Sequence, residues 1–335
     1  RILSDRKVAG ATAFDRDQEL SVDNPWGSII DTDRIDLSSK LGYVNPELPY
    51  QSLGLQGAYS VHDQRSIFGL RSYDIEHQSA YVNLLYNSII SDTRHKIKTG
   101  LNATYDQYNE DVVGQEFRRQ ERALGVFFEY AYDDLDQLSL SFGLRADAHN
   151  LLGFFVTPRL HLKYLPWEQT TVRLSMGRGK RIPNIFSENL NLFASSRQIN
   201  IRDIGGAFYG LDPEIAWNYG LSVLQKLRLA NRPFELSFDL YRTDFVNHVV
   251  VDWEVPQAIG FYNKTNESWT QSYQIEASYS PAEYLDLRAA YKYFDINTAF
   301  DSGDDRPPLT PEHRVFANAS YQTHAMSTGG HWKID

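Results

Sequence analysis

The sequence contains no cysteine, so no disulfide frame holds the fold and no thiolate site for metal or nucleophilic chemistry exists. It has no uninterrupted apolar run of the about 18 residues that a membrane-crossing helix needs. Positive charge is not in excess: 33 Lys and Arg stand against 43 Asp and Glu, a net charge of -10. Phosphate-backbone binding needs a basic stripe, so nucleic acid is excluded as a partner. No secretory leader and no initiating Met precede Arg1, which is either a mature terminus or an internal cut. The mean hydropathy of -0.46 is low for a membrane protein. That value excludes helical spans only, because a membrane β-strand shows lipid just every second residue.

Aromatic residues and alternation fill the space these absences leave. Val126, Phe128, Tyr130 and Tyr132 share one face, and Phe127, Glu129 and Ala131 the other. Asp133-Asp134-Leu135-Asp136 reverses the chain. Leu138, Leu140, Phe142, Leu144 and Ala146 then oppose Ser139, Ser141, Gly143, Arg145 and Asp147. The same pattern recurs over Lys96 to Tyr108, Arg159 to Tyr164, Val172 to Met176 and Phe234 to Leu240. In Ala80 to Ile90 both faces carry apolar residues, so its register is open. A soluble barrel puts its apolar side inward, but here the polar side is too large and charged to be a loop's accident, and it recurs in hairpin after hairpin. The pattern is that of an outer-membrane barrel, apolar toward lipid and polar toward a wet lumen. Tyr132, Tyr164, Trp167, Tyr279, Tyr284 and Trp332 fall at expected strand ends, as an interfacial girdle would place them. A tyrosine-rich soluble β protein is the alternative.

Short turns are expected near Asn45-Pro46-Glu47, Ser91-Asp92-Thr93, Asp133 to Asp136, Leu165-Pro166-Trp167, Leu229 to Pro233, Ser280-Pro281-Ala282 and Met326 to Gly330. The other connections are His62 to Gln78, Asn109 to Arg119, Asn150 to Phe155, Gly179 to Glu214, Asp244 to Glu267 and Thr298 to Pro311, and most are long and polar. One rim of turns and one of long loops is the bacterial barrel's periplasmic and extracellular asymmetry. The expected fold is an all-β, antiparallel transmembrane β-barrel. Residues 1–33 read as a polar loop and 34–335 as roughly fourteen strands, each near the about ten residues that cross a bilayer when tilted. Residues 331–335 look like the opening of a strand, and an open barrel leaves costly unpaired edges in lipid. The chain is therefore expected to be a piece of a larger barrel.

Several stretches, in order, carry a family resemblance. They are Thr157 to Tyr164, Leu174 to Asn184, Glu188-Asn189-Leu190, Leu211 to Glu214, Tyr241 to Phe245 and Pro311 to Arg314. Together they resemble the middle and later barrel strands of the TonB-dependent outer-membrane receptors, especially those of Bacteroidota. Gln271 to Glu276 departs from the family, whose members often carry Gly before the corresponding strand. The resemblance implies a barrel of about 22 strands around an N-terminal plug, with a short box that engages TonB. No plug or box is visible in this sequence. It also implies active import of a scarce nutrient, most commonly a ferric siderophore or another metal chelate. The implied partners are the TonB complex acting through the plug, the chelate, lipopolysaccharide and outer-membrane lipids. No cofactor and no catalysis are implied.

Arg178, Lys180 and Arg181 lie where a strand enters the longest loop. They could attract an anionic chelate or meet the plug, or else hold lipopolysaccharide phosphates or balance lumen acids. Asn184 continues that segment. Phe193, Phe208 and Tyr209 could stack on a siderophore's aromatic groups or fold the loop against itself. Asp301, Asp304 and Asp305 do not match the spacing of a Ca²⁺ loop and read as a solvated face. His161 projects to the lumen beside Arg159 and Lys163, so a metal would need ligands from other strands. Asp147 and His149 could form an acid–base couple, but no nucleophile elbow accompanies them. A passive porin is the rival reading, and an outer-membrane hydrolase the third.

Overall fold

The computed structural model describes residues 1–18, 21–303, 306–323 and 332–334. Its strands are β1 (Ile2–Gly10), β2 (Gly27–Val44), β3 (Ser52–Phe68), β4 (Arg71–Ile90), β5 (Asp92–Val112), β6 (Gln115–Asp133), β7 (Leu138–His149), β8 (Gly153–Trp167) and β9 (Thr170–Arg181). After a 3-10 helix at Ser187–Ala194 come β10 (Gln198–Ile201), β11 (Glu214–Leu229), β12 (Arg232–Asp252), β13 (Ala258–Thr265), β14 (Trp269–Ala282), β15 (Leu285–Asn297), β16 (His313–Gln322) and β17 (Lys333–Ile334). All seventeen belong to one sheet. Each of β1 to β8 pairs antiparallel with the next. The meander continues β9–β11–β12–β14–β15–β16–β17. At the outer end of β12 a branch is added: β13 pairs with β12, and β10 lies parallel to β13. No pairing joins β1 to β17 among the described residues, and the sheet is an open, barrel-like wall. No helix among them is long and apolar enough to cross a membrane.

Alternation fixes which face meets lipid. Val82, Leu84, Leu101, Leu124, Val126, Phe128, Leu144, Leu160 and Leu174 are exposed on one face. The opposite face carries the row Asn83, Asn102, Gly125 and Asp147, paired across β4 to β7. Apolar side chains left in water at this density would be an aggregation surface, whereas lipid accepts them. Ala80 to Ile90 is apolar on both faces because Tyr81, Leu85 and Ile89 turn inward, Leu85 opposite Gly100. A Cβ at Gly100 would lie 2.7 Å from Phe127 Cζ, so only glycine lets that ring cross β5. Tyr164, Trp167 and Tyr284 are exposed near the short turns, as a girdle requires.

Several expectations change. Residues 1–33 are not one loop: Ile2–Gly10 pairs with Gly27–Ile35, and only 11–26 connects them. Among the described residues there are seventeen strands rather than fourteen, because β1, β10 and β13 lie in stretches expected as loop. His62 to Gln78 and Asn109 to Arg119 are paired residue by residue up to two-residue tips. With 20 and 21 residues, β4 and β5 greatly exceed a span. Tilted, such strands rise about 45 Å against an apolar band of about 25 Å, so their upper halves stand in water. The turns expected at Leu165-Pro166-Trp167 and Ser280-Pro281-Ala282 lie two residues further on. Pro166 and Pro281 sit inside register irregularities of β8 and β14, where a missing N–H breaks no ladder bond. Met326 to Gly330, and all of 331–335 but 332–334, fall outside the described residues.

Candidate functional site

The main apolar core does not lie in the lipid zone. It closes over the outer end, where the long connection between β9 and β11 folds against the concave face. Ile185, Phe186, Leu192, Phe193, Phe208 and Leu211 from that connection pack with Phe68, Tyr73, Ile75 and Val112 of the tall hairpins. On the other side they meet Val249, Ile259 and Phe261 of the β12–β13 branch. Phe193 stacks on Tyr73 at 5.1 Å and on Phe68 at 5.8 Å. Backbone bonds stitch the connection to the branch: Gln198 N–H donates to Gln257 O at 2.9 Å, and Arg202 N–H to Phe261 O at 2.9 Å.

A buried polar network pins the same connection to β5 and β6. Glu110 is 3% exposed and accepts the hydroxyl of Tyr73 at 2.7 Å and that of Tyr209. Burial, reinforced by the Glu110 carboxylate, pushes both phenols well above the usual tyrosine range. Arg119 donates to Glu121 at 2.7 Å and to Asn184. Its guanidinium lies 4.3 Å from the Tyr108 ring centre and 5.3 Å from that of Tyr209. Burial pushes Tyr108 up to about 12. His77 stacks on Tyr108 at 4.2 Å and contacts Asp106 at 3.0 Å. A buried carboxylate and guanidinium are tolerated here because each has strong partners.

Part of the candidate set converges: Phe193, Phe208 and Tyr209 meet in the connection core, and Asn184 joins them through Arg119, whose guanidinium lies beside the Tyr209 ring. Strand parity splits the basic run. Arg181 turns inward and binds Glu214 at 2.6 Å and Glu188 at 3.0 Å. Arg178 and Lys180 share the outward face with Met176 and donate to the carbonyls of Val156 at 3.2 Å and Leu152 at 2.9 Å. Asn184 is engaged by Arg119. Phe193 and Phe208 are 1% and 3% exposed, so in this structure they build the core and present no face to a ligand. Tyr209 joins them through its ring contacts to Phe186 and Phe117.

The remaining candidates separate too. Asp301 is exposed and pairs with Arg202 and, at 3.0 Å, with Lys264. Asp304 and Asp305 lie outside the described residues. Asp147 is held by Arg145, while His149 Nδ1 accepts the Leu151 N–H at 3.1 Å and its Nε2 faces Glu121. These two therefore form no couple. Among the described residues no group of three His, Asp or Glu side chains is placed to hold a metal.

Sequence reading missed Glu110, Arg119 and Glu121. The signal was available: Tyr108 with Glu110, and Arg119 with Glu121, are same-face pairs on adjacent strands. One concavity, of about 880 Å³, lies between Asp63, Arg65, Asp74, Glu76, Asp111 and Arg118. Those side chains face outward above the lipid zone, so it is no lumen site.

The model of the family "TonB dependent receptor-like, beta-barrel" matches residues 4–334. No curated protein sequence matches. Among solved structures, the chain is similar to the copper transporter OprC with a TM-score of 0.64 and 13% identity, covering 89% of this chain and 54% of that one. The ferric enterobactin receptor PfeA of Pseudomonas aeruginosa gives 0.60 and 14%, covering 88% and 47%. The alcaligin outer membrane receptor FauA of Bordetella pertussis gives 0.55 and 15%, covering 88% and 51%. The chain thus spans about half the length of the solved structures it matches.

Proposed function

The chain belongs to the TonB-dependent receptor-like β-barrel family, and we propose that it forms wall and outer vestibule of an importer for a metal chelate, most commonly a ferric siderophore. It is an outer-membrane barrel, and its family is one of receptors and transporters rather than enzymes. The observation that carries the reading is the outer connection: a polar lumen wall rises into tall hairpins, and a connection with its own dry core packs across them. A porin conducts freely and has no use for such a connection folded over the concave face of its wall.

Within this reading a plug domain inside the barrel links the vestibule to the TonB complex, and chelate binding occurs among the outer connections. Arg178 and Lys180, on the outward face with Trp217 and Tyr219 on the neighbouring strand, would meet lipopolysaccharide phosphates at the outer leaflet. The neighbours are described as receptors for alcaligin and ferric enterobactin and as a copper transporter, which supports a chelated metal as the substrate class.

The test is equilibrium binding of ⁵⁵Fe-labelled hydroxamate and catecholate chelates to outer membranes carrying the protein, alongside liposome swelling in sugar solutions. Saturable binding of one chelate class without sugar permeation is expected. Sugar permeation with no chelate binding would establish the porin.

A further inference from the structure

On the inward face Lys163 of β8 stands directly opposite Arg173 of β9. Like charges in that position oppose strand pairing. No ion pair joins either to a carboxylate among the described residues. Their neighbours are neutralised: Arg159 by Glu129, and Arg181 by Glu188 and Glu214. The row through the two cations places Ser139 beside Lys163 and Ser222 beside Arg173. The nearest acids in that row, Asp133 and Asp239, are each two strands away from a cation. Two strand spacings are about 10 Å, roughly a Debye length.

One step toward the outer rim on the same face, His161 faces Ser175. These side chains surround a cavity of about 490 Å³ whose lining includes no Asp or Glu. Gly220 opens it: a Cβ there would lie 2.4 Å from Ser175 Oγ and 2.8 Å from Tyr241 Cε1. A metal ion would meet two fixed positive charges. An anion would relieve their repulsion and find hydroxyl donors around it.

We propose that Lys163 and Arg173, with His161 and the hydroxyls of Ser175 and Ser222, form an oxyanion site on the lumen wall, suited to a carboxylate, phosphate or sulfate group. Lys163 supplies a compact charge and Arg173 a planar fork, so two oxygens of one group can be held at once. The group comes either from a free solute in the lumen or from an Asp or Glu side chain of a segment lying there. The inference rests on the inward orientation of this face and is independent of which chelate is imported.

The test uses the protein isolated from outer membranes, with selenate as probe. Selenate is located by its anomalous diffraction and its binding is titrated calorimetrically. A selenate peak between Lys163 and Arg173, with binding at least tenfold weaker in the Lys163→Met/Arg173→Met variant, supports a free-solute source. Exclusion of selenate, with carbodiimide cross-linking of Lys163 to an acidic residue of the same protein, supports a side-chain source. Gly220→Ala keeps both cations and is expected to weaken whichever interaction is found. The gel mobility of unheated samples shows that each variant retains its barrel. Neither selenate nor a cross-link at Lys163, or selenate binding unchanged in the double variant, overturns the proposal.

Discussion

Replacing Phe193 by Ala should free the β9–β11 connection while leaving the lipid-zone strands intact. The ring is 1% exposed and stacks on Phe68 and Tyr73 with centroids 5.8 and 5.1 Å away. Burying a phenylalanine removes on the order of 200 Å² from water, which at about 25 cal/mol per Å² gives about 5 kcal/mol as an upper bound. Phe→Ala substitutions in cores cost about 3–5 kcal/mol once the cavity is included. The loss acts on one locally opening unit, because the ladders of β4 to β9 are paired independently of it. At about 1.4 kcal/mol per tenfold, even the lower figure raises the open population by about 100-fold. Hydrogen exchange followed by mass spectrometry reads this at the Gln198 and Arg202 amides, whose acceptors are Gln257 O and Phe261 O. Peptides from β6 and β7 serve as the internal control, and Phe193→Leu should show a much smaller effect. Unchanged exchange over 182–213 would refute the core assignment, and loss of protection throughout the barrel would refute its local character.

Tyr209→Phe keeps the ring but removes the donor to Glu110, and should destabilise the closed connection by about 1.5–3 kcal/mol, readable by the same exchange. Because Tyr73 and Tyr209 have raised folded-state values, their contribution is complete below about pH 10 and fades as pH rises beyond it. Absorbance titration should therefore find both phenols ionising later than exposed tyrosines. Burial and Arg181 lower His248 to about 4, while Glu214 is already taken by Arg181 and the Val249 N–H. Its unfolded value is about 6.5, so stability is full above that pH and falls by at most about 3 kcal/mol toward pH 4; His248→Gln should flatten this slope in urea titrations between those limits. Asp301→Asn, although it releases Arg202 and Lys264, should cost less than about 1 kcal/mol, because all three side chains have access to solvent.

The membrane half of the fold was legible and the outer half was not, for one physical reason. Between Val126 and Asp147 one face meets lipid and the other water, so alternation has full amplitude. Above the lipid both faces of a hairpin meet water. His62 to Gln78 therefore reads as a loop although it pairs throughout. β1 hides in the same way, since Ser4, Asp5, Arg6 and Lys7 carry no periodic apolar signal. The connection core has no period at all, because Phe186, Phe193 and Phe208 pack against a wall that only tertiary structure supplies. The run Arg178, Lys180, Arg181 looked like one basic cluster because sequence proximity ignores strand parity, which sends its members to opposite faces.

Energy coupling is the property that separates a TonB-dependent importer from every rival. The decisive measurement is uptake of the ⁵⁵Fe-labelled chelate that binds best, by cells carrying the protein, with and without a functional TonB complex. Uptake that requires the protein and is abolished without TonB, while surface binding persists, is the predicted result. Equal uptake in both backgrounds, rising in proportion to chelate concentration without saturation, would contradict it.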